Sequence, residues 1–292
     1  MVQVITDAKD FAILQDNSLS GALPTLHNAQ IEFRGSGNIL HCEKGVEIRG
    51  HINFSGDNSL VILQKSRDPY LLDLTVYNNC LFYSGKDSYF NGTLHAVCSE
   101  ERYILLGGDC LFSFGIWIRT ADPHLIFDAT TKARINPSKD VVVGDHVWIG
   151  QDAMLLKGTQ IGSGSILGAR SVTSRRMNSN ASWAGVPARL VRKNIFWDRA
   201  CVHAWTRENT KQGQLYANEP ALFVQDHDTI SLEELCSKLR NAPSTDERLT
   251  LAKKILLDTK GNRFYIAADQ QAKPKQLDWK TAASRLFNSH SK

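Results

Sequence analysis

From Val143 to Ser171 the apolar positions recur at every sixth residue. Val143, Ile149, Leu155, Ile161 and Leu167 keep that spacing, and Gly144, Gly150, Gly162 and Gly168 follow four of them. Four places after each aliphatic stands a small residue or a valine: Val147, Ala153, Thr159, Ser165 and Ser171. A helix repeats its apolar face at three and four residues and a strand at two, so a period of six belongs to neither alone. It fits a solenoid of triangular section in which each flat side is one hexapeptide. One aliphatic per side points to the axis, and a small residue eases the corner.

Upstream, from about residue 30 to 118, the rhythm is present but frayed. Short β-rich runs alternate with turns such as Gly37-Asn38, Gly56-Asp57-Asn58, Gly85-Lys86-Asp87 and Gly108-Asp109. A β-sandwich would also show many short strands, but its strands would drift in length and lose the strict register downstream. Arg119 to Asp140 breaks the repeat, with Pro123, Pro137 and no hexapeptide. Such an excursion is a loop on a rigid scaffold, where chemistry is often carried. Trp183 to Arg189 reads as an exit turn that closes the coil. Beyond Ala200 the pattern becomes helical. Ser231-Leu232-Glu233-Glu234 and Ser244-Thr245-Asp246-Glu247 are capping-box signatures. The second opens a helix through Leu249, Ala252, Ile255 and Leu256 to near Gly261, and Asp278-Trp279 starts a third. The expected division is a poorly packed leader over 1–25, an all-β solenoid over 26–197, and a small α-helical C-terminal domain over 198–292 without a catalytic motif.

The chain has 292 residues, 42% of them hydrophobic, enough to bury a substantial core. No apolar run is long enough to span a membrane. The first ten residues carry Asp7, Lys9 and Asp10 and no apolar signal region, so no secretory leader is expected. Six cysteines without a CxxC pair then read as reduced thiols in a cytoplasmic protein. Cys80, Cys98 and Cys110 are separated by multiples of six, which predicts one shared inward column. A net charge of +4 is too small to point to nucleic acid. Its distribution says more. Arg170, Arg175, Arg176, Arg189, Arg192, Lys193 and Arg199 are opposed in their stretch only by Asp198. Such a cluster is either a solvated face or a site for a polyanionic small ligand.

Four motifs carry a resemblance: Gly144-Asp145-His146-Val147-Trp148-Ile149-Gly150, Ile161-Gly162-Ser163-Gly164-Ser165, Gly168-Ala169-Arg170-Ser171-Val172 and Gly185-Val186-Pro187-Ala188-Arg189. With these the chain resembles the hexapeptide-repeat acyltransferases. It is most similar to sugar O-acetyltransferases, including the maltose and galactoside enzymes and those that acetylate capsular polysaccharides such as polysialic acid. The resemblance is strong over about 105–197, weaker back to about 30, and absent from the C-terminal part. It implies a left-handed parallel β-helix, against the usual right-handed rule for parallel crossovers. It also implies a homotrimer with active sites between subunits and acetyl-CoA as acetyl donor.

The family's histidine base falls on His124, in the excursion and 24 residues before Trp148. The chemistry asks for such a group independently. An alcohol attacking a thioester must lose a proton, and a neutral imidazole accepts one near neutral pH. Asp122 could orient that ring or grip a substrate hydroxyl. Trp148 matches the tryptophan near the acetyl group and pantetheine arm, and otherwise packs against a neighbouring subunit. Gln151 occupies a cofactor-contact position. Gly168 and Ala169 allow close approach of the pantetheine chain. Ser174 and Arg175 match a Thr-Lys pair, and Arg189 and Arg192 match two C-terminal arginines, which suit the phosphates of coenzyme A. His146, a turn position, and His95 are rival histidines.

A metalloenzyme of the γ-carbonic anhydrase kind would share this fold, but it needs histidine ligands five residues apart. His27, His41, His51, His95, His124, His146, His203, His227 and His290 include no such pair, so no metal is expected. The expected function is acetyl transfer from acetyl-CoA to a sugar or polysaccharide hydroxyl by direct attack in a ternary complex. The alternatives are N-acetylation of an amino sugar and a non-catalytic β-helix scaffold.

Overall fold

The computed structural model describes residues 2–226, 229, 231–257 and 264–268. Three parallel sheets wrap into a left-handed β-helix, the fold expected from the repeat. The first and second faces have eight strands each and the third has six. The hexapeptide aliphatics visit the faces in turn: Val143 lies on the second, Ile149 on the third, Leu155 on the first and Ile161 back on the second. Val143 stands beneath Ile161, Ile149 beneath Leu167 and Leu155 beneath Thr173, so a coil here takes 18 residues. All five aliphatics are at most 1% exposed, and Val147, Ala153, Thr159, Ser165 and Ser171 are fully buried at the corners.

Close stacking explains the glycines. A Cβ on Gly144 would lie 2.5 Å from the Ser163 backbone nitrogen in the coil above, and one on Gly150 would lie 2.5 Å from that of Ala169. Both contacts are with main chain of the next coil, so a side chain would force the coils apart.

The frayed upstream pattern is a wider coil. Ile31 pairs with Ile52, Ile52 with Leu74, Leu74 with Ala96 and Ala96 with Ile118, so each turn takes 21 or 22 residues. That width moves Cys80, Cys98 and Cys110 out of a common column. Cys80 leads into the second-face strand Leu81–Ser84, Cys98 ends the first-face strand Leu94–Cys98, and Cys110 leads into the third-face strand Leu111–Phe112. All three are buried and reduced.

The N-terminal segment read as a leader is built into the first coil. Gln3–Ile5 pairs antiparallel with Thr25–Phe33, and Ser18–Gly21 pairs parallel with Ile39–Cys42. Ile5 and Phe11 are buried. At the other end Ala181–Ala184 and Arg189–Lys193 form an antiparallel pair on the third face, which is the expected exit turn.

The second face is apolar on both sides. Its strands Leu60–Leu63 and Tyr103–Leu106 are buried at every residue, the pattern of strands covered on both faces. The cover is the C-terminal part. After a short exposed helix α1 (Arg207–Gln212), helices α2 (Leu232–Arg240) and α3 (Thr245–Ala252) start at Ser231 and Ser244, whose side chains accept from the Glu234 and Glu247 amides. Leu235, Leu239, Leu249, Ala252, Leu256 and Phe264 form one buried cluster with Ile62, Tyr83, Tyr103, Leu105 and Val142. The helices are thus an outer layer on one side of the solenoid. The end of the second helix near Gly261 and the helix at Asp278 lie outside the described residues.

Candidate active site

The excursion leaves the first face after Trp117–Arg119 and returns on the second at Val141–Val143, so it projects from the edge between those faces. Within it the chain doubles back. The Ile135 amide donates to the Ile126 carbonyl at 2.9 Å, and Phe127 bridges Arg134. The Asp128 carboxylate caps the tip by accepting from the Thr130 and Thr131 amides at 3.0 and 2.7 Å. His124 is exposed at the base of this hairpin.

Three side chains tie the hairpin to the solenoid. Arg134 forks onto Glu100 in the coil below, and Ser138 donates to the same carboxylate. Those contacts, Arg134 first and then Ser138, hold the Glu100 carboxyl down at about 2. On the other side Lys157, from a corner of the coil above, pairs with Asp122 at 2.5 Å. Lys157, helped by Asn136, holds the Asp122 carboxyl below its ordinary value. Among the described residues the Asp122 carboxylate meets Lys157 and Asn136, with no hydrogen bond to the His124 ring.

Trp148 opens the third-face strand Trp148–Ile149 and is 39% exposed. Its neighbour is Trp197, 6.1 Å away between ring centroids. Trp197 belongs to a tail segment that runs back along the edge between the second and third faces. Its ring stacks on His146 at 4.1 Å, and its Nε1 donates to the His146 carbonyl. His146 is a turn residue with φ near 52°, but its ring is largely covered, with Nδ1 2.6 Å from Asp109. Arg199 completes this clasp on Asp109 at 2.7 Å. Burial works to raise the Asp109 carboxyl; His146 and Arg199 outweigh it and hold it low. His95 sits on the first face, paired with Asp73 at 2.9 Å and stacked on Trp117 at 4.4 Å. Both rival histidines are therefore engaged within the chain. Among the described residues no hydrogen bond or ring contact joins His124 to Trp148, and the two occupy different sides of the prism.

Gln151 and Ala169 are exposed on one corner, with Gly168 half-buried beside Ala169. Ser174, Arg175, Arg189 and Arg192 are exposed at the last coil and the exit turn. Among the described residues no carboxylate pairs with Arg175, Arg189 or Arg192, whereas Arg170 reaches Asp152 at 3.6 Å. Exposed guanidiniums without acidic partners among the described residues are suited to phosphate oxygens. Sequence reasoning missed Glu100, Arg134, Asn136, Lys157 and Trp197. Only Lys157 left a signal, a charge set inside an otherwise regular hexapeptide.

Comparison with known proteins agrees with the β-helix fold. The bacterial transferase hexapeptide family (six repeats) matches residues 140–175. The chain is 28% identical over 205 residues to the polysialic acid O-acetyltransferase of Neisseria meningitidis, spanning 69% of this chain and 94% of that enzyme. It is 31% identical over 103 residues to the polysialic acid O-acetyltransferase of Escherichia coli O1:K1, there spanning 35% of this chain and 34% of that enzyme. Among solved structures, the polySia-specific acetyltransferase NeuO superposes with a TM-score of 0.59 at 26% identity, covering 68% of this chain and 93% of that one. The chain thus carries the hexapeptide repeat of bacterial transferases. Over about two thirds of its length it is similar to enzymes named for O-acetylating polysialic acid.

Proposed function

We propose that this protein transfers the acetyl group of acetyl-CoA to a hydroxyl of a sugar unit in an acidic glycan of the polysialic acid kind. The observation that carries this reading is a match spanning 94% of a polysialic acid O-acetyltransferase and 69% of this chain, on a chain whose excursion is clamped to the solenoid while presenting an exposed histidine. The reaction is direct attack in a ternary complex. His124 takes the proton of the acceptor hydroxyl as its oxygen bonds to the thioester carbonyl carbon. The carbon–sulfur bond then breaks, and the imidazolium returns the proton to the leaving thiolate. The thioester is already activated, so no acyl-enzyme is needed. Trp148 walls the acetyl and pantetheine end, Gln151, Gly168 and Ala169 flank the pantetheine arm, and Ser174, Arg175, Arg189 and Arg192 hold the phosphates. Asp122 acts on the loop through Lys157 rather than on the proton.

The site is composite in this reading. Leu125, Ile126, Phe127 and Ile135 expose 49–60% of their surface on the excursion, a density of apolar residues that calls for a covering partner. A second copy brings its third face, with Trp148, against that loop, and three copies close the ring. No helix among the described residues is long and apolar enough to cross a membrane. We place the enzyme in the cytoplasm, where acetyl-CoA is made.

Thiol release with acetyl-CoA and polysialic acid tests the proposal. His124→Ala should lower turnover about 10²–10⁴-fold, the usual worth of a general base, with acetyl-CoA binding nearly unchanged. Wild-type turnover in that variant would remove His124 from the chemistry. Absence of acetyl-CoA binding at millimolar concentration would favour a scaffold.

A further inference from the structure

We infer that Asn136 is the positioning residue of the proposed base, an inference that rests on the reading of His124 given above. Asn136 is 6% exposed at the neck of the excursion. Its Nδ2 donates to the His124 carbonyl at 2.8 Å and to Asp122 Oδ2 at 3.2 Å. Its Oδ1 accepts from the Ile126 amide at 2.9 Å and from Arg134 Nε at 3.4 Å. One amide therefore grips the main chain at the histidine itself and again two residues on, and it saturates its own capacity of two donors and two lone pairs. Its main-chain carbonyl receives Lys157 Nζ at 3.0 Å and Arg134 at 3.3 Å. The two ion pairs that fasten the hairpin to the coils above and below both pass through this residue.

The four contacts use both donors and both acceptor sites of the amide. An aspartate has the same shape but loses both donors and sets a second carboxylate against Asp122. A leucine fills the space and satisfies none of them. The pair of bonds around Leu125 fixes the peptide orientation from which the His124 side chain springs. A displacement of about 1 Å at a reacting group is enough to cost about a hundredfold in rate. The residue touches neither substrate nor reacting atoms, so its effect must run through His124.

The experiment combines kinetics with a direct view of the ring. Asn136→Ala and Asn136→Asp are assayed by thiol release with acetyl-CoA and polysialic acid, beside His124→Ala and the double variant His124→Ala/Asn136→Ala. The expected result is a fall in kcat of ten- to a hundredfold with KM for acetyl-CoA within twofold, and no further loss when Asn136→Ala is added to His124→Ala. In histidine-labelled protein the His124 ring resonance, identified by its absence in His124→Ala, should shift or broaden in Asn136→Ala while those of His95 and His146 stay in place. Movement of all three would mean general unfolding and would overturn the inference, as would equal losses from Asn136→Ala in both backgrounds. An unmoved His124 resonance would overturn the positioning role by itself. Wild-type turnover in His124→Ala would instead overturn the base assignment and with it the catalytic part of this inference, and the ring resonance separates those two failures.

Discussion

Glu100 shows how one carboxylate can set the pose of a site it never touches. Arg134 and then Ser138 hold its carboxyl down at about 2, from an ordinary value of 4.5. A depressed carboxyl contributes stability that is fully present above the ordinary value and is lost as pH falls through the lowered one. The clamp is therefore intact throughout the range from pH 5 to 8, and any loss of activity there belongs to another group. Glu100→Gln keeps a partner for Ser138 and loses the ion pair. An exposed pair is worth about 0.2–1 kcal/mol, a rate effect of up to about fivefold if all of it reaches the transition state. Glu100→Gln should thus lower kcat by a few-fold and leave the pH of half-maximal activity where it is. A displaced acid limb in its pH–rate curve would show that Glu100 takes part in the proton transfer. On the opposite side of the hairpin, Asp122 and Lys157 form a second such pair at 2.5 Å, so neither clamp alone holds the loop.

The second face is the element whose partner decides stability. Leu239 on α2 is fully buried with Leu235, Leu249 and the outward residues of the solenoid. Truncating a buried leucine removes its transfer energy and leaves a cavity, about 2–5 kcal/mol together. Leu239→Ala should lower the unfolding free energy by that amount in denaturant titration; a loss below about 0.5 kcal/mol would mean that the helical layer is not docked in solution. This layer also marks where sequence reasoning stopped. The 18-residue coils were legible because each side is one hexapeptide, and Gly144 and Gly150 answer to stacked main chain at Ser163 and Ala169. The 21- or 22-residue coils upstream lose that phase, which is why the cysteine column failed. Runs such as Leu60-Val61-Ile62-Leu63 lack alternation, the pattern of strands covered on both sides, a signal the six-residue repeat did not expose, and nothing local says what covers them. The excursion was legible as a break in rhythm, and His124 was singled out by the family resemblance together with its place in that loop. Asn136 was not, because Asp122, His124 and Ile126 gather around it only when the hairpin closes.

At the scale of the whole molecule the two residues expected to meet over the acetyl group stand apart. His124 rises from the edge between the first and second faces. Trp148 begins the third face at its far side, next to Trp197 on the edge shared with the second. A side of about six residues spans roughly 15–20 Å at the rise of a β-strand, and α2 and α3 fill the intervening second face. One chain cannot fold its excursion across that distance while Arg134 and Lys157 hold it down. Two chains side by side can bring the loop of one to the third face of the next, and a ring of three repeats the contact without leaving an open end. The consequence is intersubunit complementation. His124→Ala and Trp148→Ala chains should each be nearly inactive alone. In the proposed trimer, assembled from an equal mixture, a site is intact when a chain with its histidine precedes a chain with its tryptophan, which random mixing gives at about a quarter of all contacts. Co-expression should therefore recover about a quarter of wild-type turnover, and mixing after assembly should recover none until subunits exchange. If both residues served the same site from one chain, every mixture would stay as inactive as its parents, and the composite site would have to be abandoned.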